Sequence, residues 1–320
     1  MRSSNSVPER LSLKRSPERS GLDCLGMGIV PMDFLYTVKR LPQAGEKINA
    51  IDCCIQGGGP VPNALVGLAR LGMKTAIIAA VGDDLFGRMT IDELKREKVD
   101  CHLVLRKRQP SAAAVGLIEK DSGRRTIALH RRIGIEPSDL HLSRLPVPRV
   151  LHLDGRDLEA AIKLARWARR LGVAVSFDIG SVRNDVSLLL PLVDHLVVAD
   201  GFAFHFVHTR SAGGAIRKLS RLCPGRIVVT EGLKGATGYE NGRVVHQPAF
   251  RVKSVDTTGA GDSFHAGYLY GLLEGRDMAE RLKLGAAAAA LKCTQPGART
   301  GAPRRKQLIR FLKGSPEIYA

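Results

Sequence analysis

One stretch, Asp256-Thr-Thr-Gly-Ala-Gly-Asp-Ser-Phe264, combines the residue types that phosphoryl chemistry needs. Large apolar side chains recur every four residues from Phe264 to Leu272, which predicts an amphipathic helix. Gly259, Ala260 and Gly261 therefore lie where a loop becomes a helix. Backbone N–H groups at such a junction have no partner inside the helix, and glycine lets a ligand approach them closely. With the positive end of the helix dipole, they form a site for a phosphate group.

Asp262 does not fit a site that only binds phosphate, because its carboxylate repels an anion. It fits a site where an acid takes the proton from a hydroxyl that attacks a phosphoryl group. The alternative is that Asp262 caps the helix, a role for which aspartate is well suited. The local spacing leaves both interpretations open.

Two segments early in the chain carry polar groups suited to a small hydroxylated ligand. A short buried strand over Leu22–Ile29 precedes Asp33, which would face the crevice at the carboxyl end of a parallel sheet. Gly58 and Gly59 precede Asn63, whose amide can donate to and accept from sugar hydroxyls. A turn aspartate and a helix-capping asparagine are the alternatives.

Strands and helices alternate along the chain, and this predicts a mostly parallel α/β sheet with helices on both faces. The alternation runs from a strand at Val150–Leu153 to a strand at Ile227–Thr230 and includes a helix over Val186–Leu192. Asp154 and Asp178 both fall at the carboxyl ends of predicted strands, with Asp178 as the last residue of a strand over Ala174–Asp178. We therefore expect both carboxylates on the ligand-binding edge of the sheet.

Two further features suit a nucleotide. The loop Thr230-Glu-Gly-Leu-Lys-Gly235 follows a strand and offers glycines to phosphates or a ribose. An alanine-rich helix, capped by Asp277 and ending near Lys292, would let a flat adenine approach closely.

A small β-sheet is expected outside the main α/β run, formed by segments of about residues 35–56 and 102–131. Ala112–Ile118 and Arg125–His130 are strands joined by Asp121-Ser-Gly123, a combination typical of a hairpin. Such a sheet would act as a lid over the crevice.

Composition limits the class of protein. The 320 residues with 44% apolar content suffice for one large domain, expected over residues 21–320 after a disordered basic tail at residues 1–20. No apolar run approaches the ~20 residues that cross a membrane. The six cysteines form no Cys-x-x-Cys pair, and this pattern of cysteines indicates a reducing, cytoplasmic setting. The basic residues behind the net charge of +18 are scattered without an aromatic platform, which argues against a nucleic-acid-binding protein. The positive charge would suit anionic substrates, and a solvated, arginine-rich surface is the commonest explanation.

The segment Asp256–Asp262, followed by Ser263-Phe264, resembles the C-terminal signature of the ribokinase and fructokinase family of carbohydrate kinases. Further segments resemble the family in the same order, so that the likeness covers about residues 22–312: Gly58-Gly59 with Asn63, Ala69-Arg-Leu-Gly72, Val81-Gly-Asp-Asp84, Gly123-Arg-Arg-Thr-Ile127, the Thr230–Gly235 loop and Gly297-Ala298. His152-Leu-Asp-Gly-Arg156 is similar to the ketohexokinase branch in particular.

The resemblance implies a Rossmann-like three-layer core with a mostly parallel sheet and a small β-sheet lid. It implies transfer of the γ-phosphoryl group of ATP to a sugar hydroxyl with Mg²⁺, where Asp262 is the general base and the amides of Gly259, Ala260 and Gly261 form the anion hole. It places the sugar against Asp33, Gly58, Gly59, Asn63 and Asp154. It places the nucleotide near Asp200, Thr230, Gly232, Gly235 and Gly297. Asp256 and Thr258 match positions that help to hold K⁺ in potassium-activated members.

Three positions depart from the family pattern. Where the family often has Asn-x-x-Glu, this chain has Asp200 followed by Ala203, so the way in which Mg²⁺ is held stays open. Pro60 follows Gly59 where ribokinase and ketohexokinase have a polar side chain, which leaves the sugar undetermined. Ala286 replaces an adenine-side histidine or asparagine of some members.

Two alternatives to a sugar kinase follow. One is a nucleoside or phosphosugar kinase of the same fold, for which Arg125, Arg131 and Arg156 are candidate cationic groups. The other is a catalytically inactive sugar- or nucleotide-sensing protein, suggested by the missing glutamate after Asp200. Pairing of lids would also allow a homodimer.

Overall fold

The computed structural model describes residues 21–121, 123–180, 185–314 and 317–319, so the expected tail at residues 1–20 lies outside the described residues. The strands in chain order are β1 (Cys24–Met27), β2 (Met32–Val38), β3 (Asp52–Gly57), β4 (Thr75–Gly82), β5 (Val99–Asp100), β6 (Val104–Lys107), β7 (Ala113–Glu119), β8 (Arg125–His130), β9 (Val150–Leu153), β10 (Ala174–Ile179), β11 (His195–Ala199), β12 (Arg226–Thr230), β13 (Ala236–Glu240) and β14 (Arg243–Gln247). The α-helices are α1 (Pro60–Arg70), α2 (Leu85–Arg96), α3 (Leu158–Arg170), α4 (Asp200–Phe206), α5 (Ala212–Leu219), α6 (Ala260–Leu273), α7 (Met278–Cys293) and α8 (Arg305–Lys313). None of these helices combines the length and apolar character that a membrane crossing requires.

The main sheet has ten strands in the order β14-β13-β12-β11-β10-β9-β1-β4-β5, with β6 paired to β4. Its strands pair in parallel from β12 to β5, and only the β13–β14 hairpin is antiparallel to its neighbour. All eight residues of β4 are buried, as expected for a parallel strand covered on both faces. The predicted α/β fold class is confirmed.

Helices cover both faces of the main sheet and bury two separate apolar cores. Leu151 packs in the core that includes α3, whereas its neighbour Val150 packs in the core that includes α1, α6 and α7. This division follows from the alternation of side chains along a strand. The second core holds the helices that carry the candidate site, so its packing fixes their positions.

A separate four-stranded sheet in the order β3-β2-β7-β8 forms the lid. It begins at Met32, earlier than the expected residue 35. Val104–Lys107 was expected within the lid segment 102–131 but pairs in parallel with β4 of the main sheet instead. Every residue of β8 is exposed, so one edge of the lid lies open to solvent.

Two expectations about local structure were wrong, and two elements were not predicted. The helix expected over Val186–Leu192 is a turn followed by a 3-10 helix at Leu190–Leu192, because Pro191 lacks the N–H that an α-helix interior needs. The sequence also predicts a helix over Ala64–Leu71, but α1 begins earlier, at Pro60, since proline fits the first turn of a helix. Helix α4 was not predicted. The β13–β14 hairpin was also missed, although Asn241-Gly242 is a strong two-residue hairpin signal and both residues have positive φ.

Candidate active site

The Gly259 loop joins α6 as the sequence predicts. Gly259 is the N-cap residue with a φ of 76°, and a Cβ there would lie 2.8 Å from Ala298. The Ala260 N–H donates to the Thr257 carbonyl at 3.1 Å, so this amide is already engaged. A Cβ added to Gly261 would meet nothing within 4 Å, which leaves open space in front of the helix N-terminus. An anion bound at this helix N-terminus would therefore contact the other amides of the first turn.

Asp262 accepts a hydrogen bond from Asn63 Nδ2 at 2.6 Å, across 199 positions of sequence. The N-cap residue of α6 is Gly259, so Asp262 does not cap the helix. Asn63 is inside α1, whose N-cap is Gly59, so it is not a cap either. The structure thus brings together Asp262, the candidate base, and Asn63, a candidate sugar-binding residue.

A buried arginine that sequence analysis missed fixes the orientation of Asn63. Arg299 Nε donates to Asn63 Oδ1 at 2.8 Å, so the amide nitrogen must face Asp262. The same guanidinium donates to the Gly58 carbonyl at 3.1 Å and pairs with Glu93 at 2.9 Å. Glu93 in turn accepts the Gly57 N–H at 2.7 Å. These contacts connect Asp262, helix α1 and the glycines at Gly57 and Gly58.

The surroundings of Asp262 raise the pKa of its carboxyl group to about 7. Withdrawal of the carboxylate from bulk water is the main cause, and the negative charge of Asp178 adds to it. The hydrogen bond from Asn63 and the interaction with His265 oppose this shift. A carboxylate with a pKa near neutrality accepts a proton more readily than an ordinary aspartate.

A buried cluster of His152, Asp178 and His265 accompanies Asp262. His265 Nε2 lies 3.2 Å from Asp178 Oδ1, and the two histidine rings are 5.2 Å apart. Burial raises the pKa of Asp178, but the charge and hydrogen bond of His265 outweigh it and hold the pKa below its usual value. Asp178 therefore lies at the strand end where the sequence places it, paired with a histidine one turn beyond the base on α6.

Asp178→Asn is expected to shift the acid limb of the kcat/KM profile to lower pH. The base acts only when ionised, so wild-type activity should fall as the pH drops through the Asp262 pKa of about 7. Loss of the Asp178 charge lowers that pKa, because its repulsion outweighs the opposing effect of His265. The measurement is kcat/KM between about pH 5 and pH 9 for both proteins. An unchanged midpoint would contradict the electrostatic coupling.

Asp33, Gly58 and Gly59 meet where the main sheet joins the lid. Asp33 is the second residue of β2, and a Cβ on Gly58 would lie only 2.0 Å from its carboxylate. Gly59 has a φ of 96°, and a Cβ there would lie 2.2 Å from the Ile29 carbonyl. Burial raises the pKa of Asp33 to about 6, although Arg299 opposes this shift. Both glycines are therefore required for Asp33 and α1 to approach each other.

The carboxylate of Asp154 is already engaged by the backbone, unlike that of a residue whose side chain is free to bind a sugar. Its carboxylate accepts the N–H groups of Ile29 and Arg156, both at 3.0 Å, and burial raises its pKa to about 6. It lines a cavity of about 300 Å³ together with Pro60, Arg131, Arg156 and Asp178. Asp154 thus orders the backbone of this cavity as well as facing it.

A second cavity, of about 260 Å³, contains three predicted nucleotide residues. Thr230, Gly232 and Gly235 line one side, and Ala260 and Gly261 of the loop line another. The remaining wall is largely apolar and made of small side chains, including Ala286, Ala289, Ala290 and Cys293. Such a wall admits a flat base, and the adjacent helix N-terminus suits its phosphates.

The other two predicted nucleotide residues lie elsewhere. Asp200 begins α4 directly after Ala199, which pairs with Thr230, so it is next to the nucleotide loop. Gly297 does not line the cavity. Its N–H donates to Asp256 Oδ2 at 2.8 Å, and the Thr258 N–H donates to Asp256 Oδ1 at 2.8 Å. The two predicted cation residues and Gly297 therefore form one cluster beneath the loop.

Ala289→Trp is expected to raise the KM for ATP by at least about tenfold, because an indole would fill the space for the base. Ala279→Trp, on an exposed position of the same helix, is the matched control. Steady-state kinetics with varied ATP provides the measurement. Equal ATP KM values for the two variants would place the nucleotide outside this cavity.

Comparisons with known proteins identify relatives of this chain. The model of the pfkB family carbohydrate kinase matches residues 23–305. A fructokinase from Klebsiella pneumoniae is 31% identical over 284 residues, which cover 80% of this chain and 91% of that protein. A 5-dehydro-2-deoxygluconokinase from Bacillus velezensis is 25% identical over 285 residues, covering 82% and 86%. The structure of Arabidopsis thaliana ribokinase complexed with ribose and ATP has a TM-score of 0.79 and 25% identity, covering 92% of this chain and 99% of that one.

The fold is that of the solved carbohydrate kinase structures, including that of Arabidopsis thaliana ribokinase. The chain belongs to the pfkB family of carbohydrate kinases. The family resemblance inferred from the sequence is confirmed. The roles of individual residues stay predictions.

Proposed function

We propose that the protein transfers the γ-phosphoryl group of ATP to a hydroxyl of a small sugar, with Asp262 as the general base. One observation carries the proposal. Asp262 directly follows Gly261, which lines the 260 Å³ nucleotide cavity. Its carboxylate accepts a hydrogen bond from Asn63 on α1, and Pro60 at the start of the same helix lines the 300 Å³ cavity. The location of an acid between the two cavities supports a role in deprotonating an acceptor that faces a bound nucleotide.

In the proposed step the acceptor hydroxyl oxygen attacks the γ-phosphorus while its proton passes to Asp262. The bond from the γ-phosphorus to the bridging oxygen of ADP breaks, and ADP leaves with the electron pair. Asn63 and Asp33 orient the acceptor, and the free amides at the start of α6 stabilise the charge on the moving group. The pKa of about 7 for Asp262 suits transfer near neutral pH.

ATP and Mg²⁺ fit the residues present. The nucleotide cavity offers an apolar wall and glycine backbone, and Asp200 supplies a carboxylate oxygen of the kind Mg²⁺ prefers. The metal, when bound, neutralises charge on the phosphates. The positioning of the acceptor and the removal of its proton rest on the side chains of this chain.

The 300 Å³ cavity that Asp154 lines, here called the acceptor cavity, favours an acceptor with an anionic group as a second candidate. Arg131 and Arg156 both line it, and Arg131 is ion-paired with Asp157. Arg156 has a buried Nε without a hydrogen-bond partner among the described residues. A sugar phosphate or sugar acid would satisfy this donor. The similarity to a 5-dehydro-2-deoxygluconokinase supports an acidic acceptor.

An ATP-consumption screen tests both proposals. Ketohexoses, aldopentoses, their phosphates, sugar acids and nucleosides are compared at fixed ATP and Mg²⁺. Activity on anionic sugars that falls in Arg156→Met would support the second candidate, whereas activity on neutral sugars that is unaffected by Arg156→Met would exclude it. Absence of turnover on every class would favour a sensing protein.

We also propose that two chains associate through their lids. Ile55, Val115 and Ile127 of the lid are 51%, 47% and 50% exposed, which is high for large apolar side chains. Light scattering of the wild type and of Ile127→Lys measures this association. A monomeric wild type at micromolar concentration would contradict the proposal.

A further inference from the structure

A fully buried lysine lies beneath the anion-binding loop. Lys292, near the end of α7, has 0% exposure. Its Nζ donates to the Asp256 carbonyl at 2.5 Å and to the Gln295 carbonyl at 3.4 Å, and it lies 3.9 Å from Asp256 Oδ2. These partners are all oxygen acceptors. They are the kind of ligands that an alkali cation takes from a protein.

The end of α7 also holds the loop through its backbone. The Cys293 carbonyl accepts the N–H groups of Val255 and Asp256, at 2.7 and 3.2 Å. The Asp256 carboxylate holds the Thr258 and Gly297 N–H groups. The Lys292 ammonium is therefore the central cation of a cluster that orders the approach to Gly259.

The residues in this cluster do not fit an added K⁺. Both Asp256 carboxylate oxygens have hydrogen-bond partners, and the Asp256 carbonyl is occupied by Lys292. A second cation would lie next to the ammonium in a desolvated setting, where the repulsion between like charges is strong. The resemblance to potassium-activated members thus conflicts with what surrounds Asp256 and Thr258.

We propose that the Lys292 ammonium replaces the monovalent cation, so that the loop binds nucleotide phosphate without K⁺. The inference rests on the proposed role of this loop in ATP binding. An internal ammonium supplies the same positive charge below the N-terminus of α6 that a bound ion would supply. Because it is covalently attached, its occupancy does not vary with the salt in solution.

The first test uses the wild-type protein without any sugar. The ATP dissociation constant, from calorimetry with Mg²⁺, and the thermal unfolding midpoint without ATP are measured in K⁺, Na⁺ and choline chlorides at equal ionic strength. Both quantities are expected to agree among the salts, with affinities within about twofold. ATP binding at least about tenfold tighter in K⁺ than in choline would overturn the proposal.

The second test removes the ammonium. Lys292→Ala leaves space for an ion, and we expect ATP affinity in choline to fall about tenfold and to recover in K⁺. Lys292→Met fills that space without charge and should lose affinity without recovery. Arg281→Met removes another buried cation of α7, paired with Glu240 at 2.6 Å, and should show no K⁺ response. An ATP affinity in Lys292→Met equal to that of the wild type would also overturn the proposal.

The two tests remain decisive if a lysine variant fails to fold, because the wild-type salt comparison stands alone. They are also separable from the proposed reaction, since neither involves turnover. A protein that phosphorylates no sugar but binds ATP independently of K⁺ would contradict the proposed function and support the Lys292 assignment.

Discussion

Asp262→Asn is expected to reduce kcat by about 10²- to 10⁴-fold while the protein folds normally and still binds ATP. The substitution keeps the size of the side chain and an oxygen for the Asn63 amide, but it removes the proton acceptor. The open space before Gly261 and the nucleotide cavity are unchanged. The measurement is turnover with the acceptor found in the screen, together with ATP affinity by calorimetry.

The same variant should gain stability relative to the wild type as the pH rises. The folded-state pKa of about 7 lies above the ordinary aspartate value, so the folded protein binds this proton more tightly than the unfolded chain does. As the pH rises from the unfolded pKa to the folded pKa, the stabilising contribution of Asp262 to the free energy of unfolding is therefore lost. Asparagine does not titrate, so the variant does not lose stability in this pH range. Urea unfolding at pH 5 and pH 8 provides the check. Near-normal turnover, or a stability difference that is independent of pH, would contradict the assignment.

The sequence predicted those parts of the site that lie within short segments. The loop at Gly259, the helix after it and the Thr230–Gly235 loop depend on local glycine and on apolar periodicity, so their residue pattern is sufficient. The strand ends that carry Asp154 and Asp178 follow from the alternation of strands and helices. These elements need only local interactions to be recognised.

The remaining parts depend on contacts between distant segments. Arg299 is 236 positions from Asn63, and nothing in its neighbourhood indicates a buried guanidinium. Lys292 is followed by Cys293-Thr294 in the last turn of an alanine-rich helix, where a lysine ordinarily faces water. Their burial follows from the packing of α7 and the loop after it against α1 and α6. Such packing is a property of the tertiary structure that residue spacing does not record.

Arg299→Met is expected to cost about 3 kcal/mol or more of stability and to raise the KM for the acceptor by about tenfold. The side chain is 3% exposed, and its loss leaves Glu93 and the Gly58 carbonyl without their cationic partner. It also releases the Asn63 amide, which can then rotate away from Asp262. The measurements are chemical denaturation and steady-state kinetics with varied acceptor at saturating ATP.

The matched control distinguishes positioning from a general loss of stability. Arg281→Met removes a guanidinium that is 4% exposed and paired with Glu240 at 2.6 Å, away from Asn63. It should lose comparable stability with the acceptor KM unchanged. Arg299→Met should also move the acid limb of the kcat/KM profile to higher pH, because the Asn63 hydrogen bond lowers the pKa of Asp262. If both variants lowered stability alike and neither altered KM or the pH profile, Arg299 would serve the fold without positioning the base.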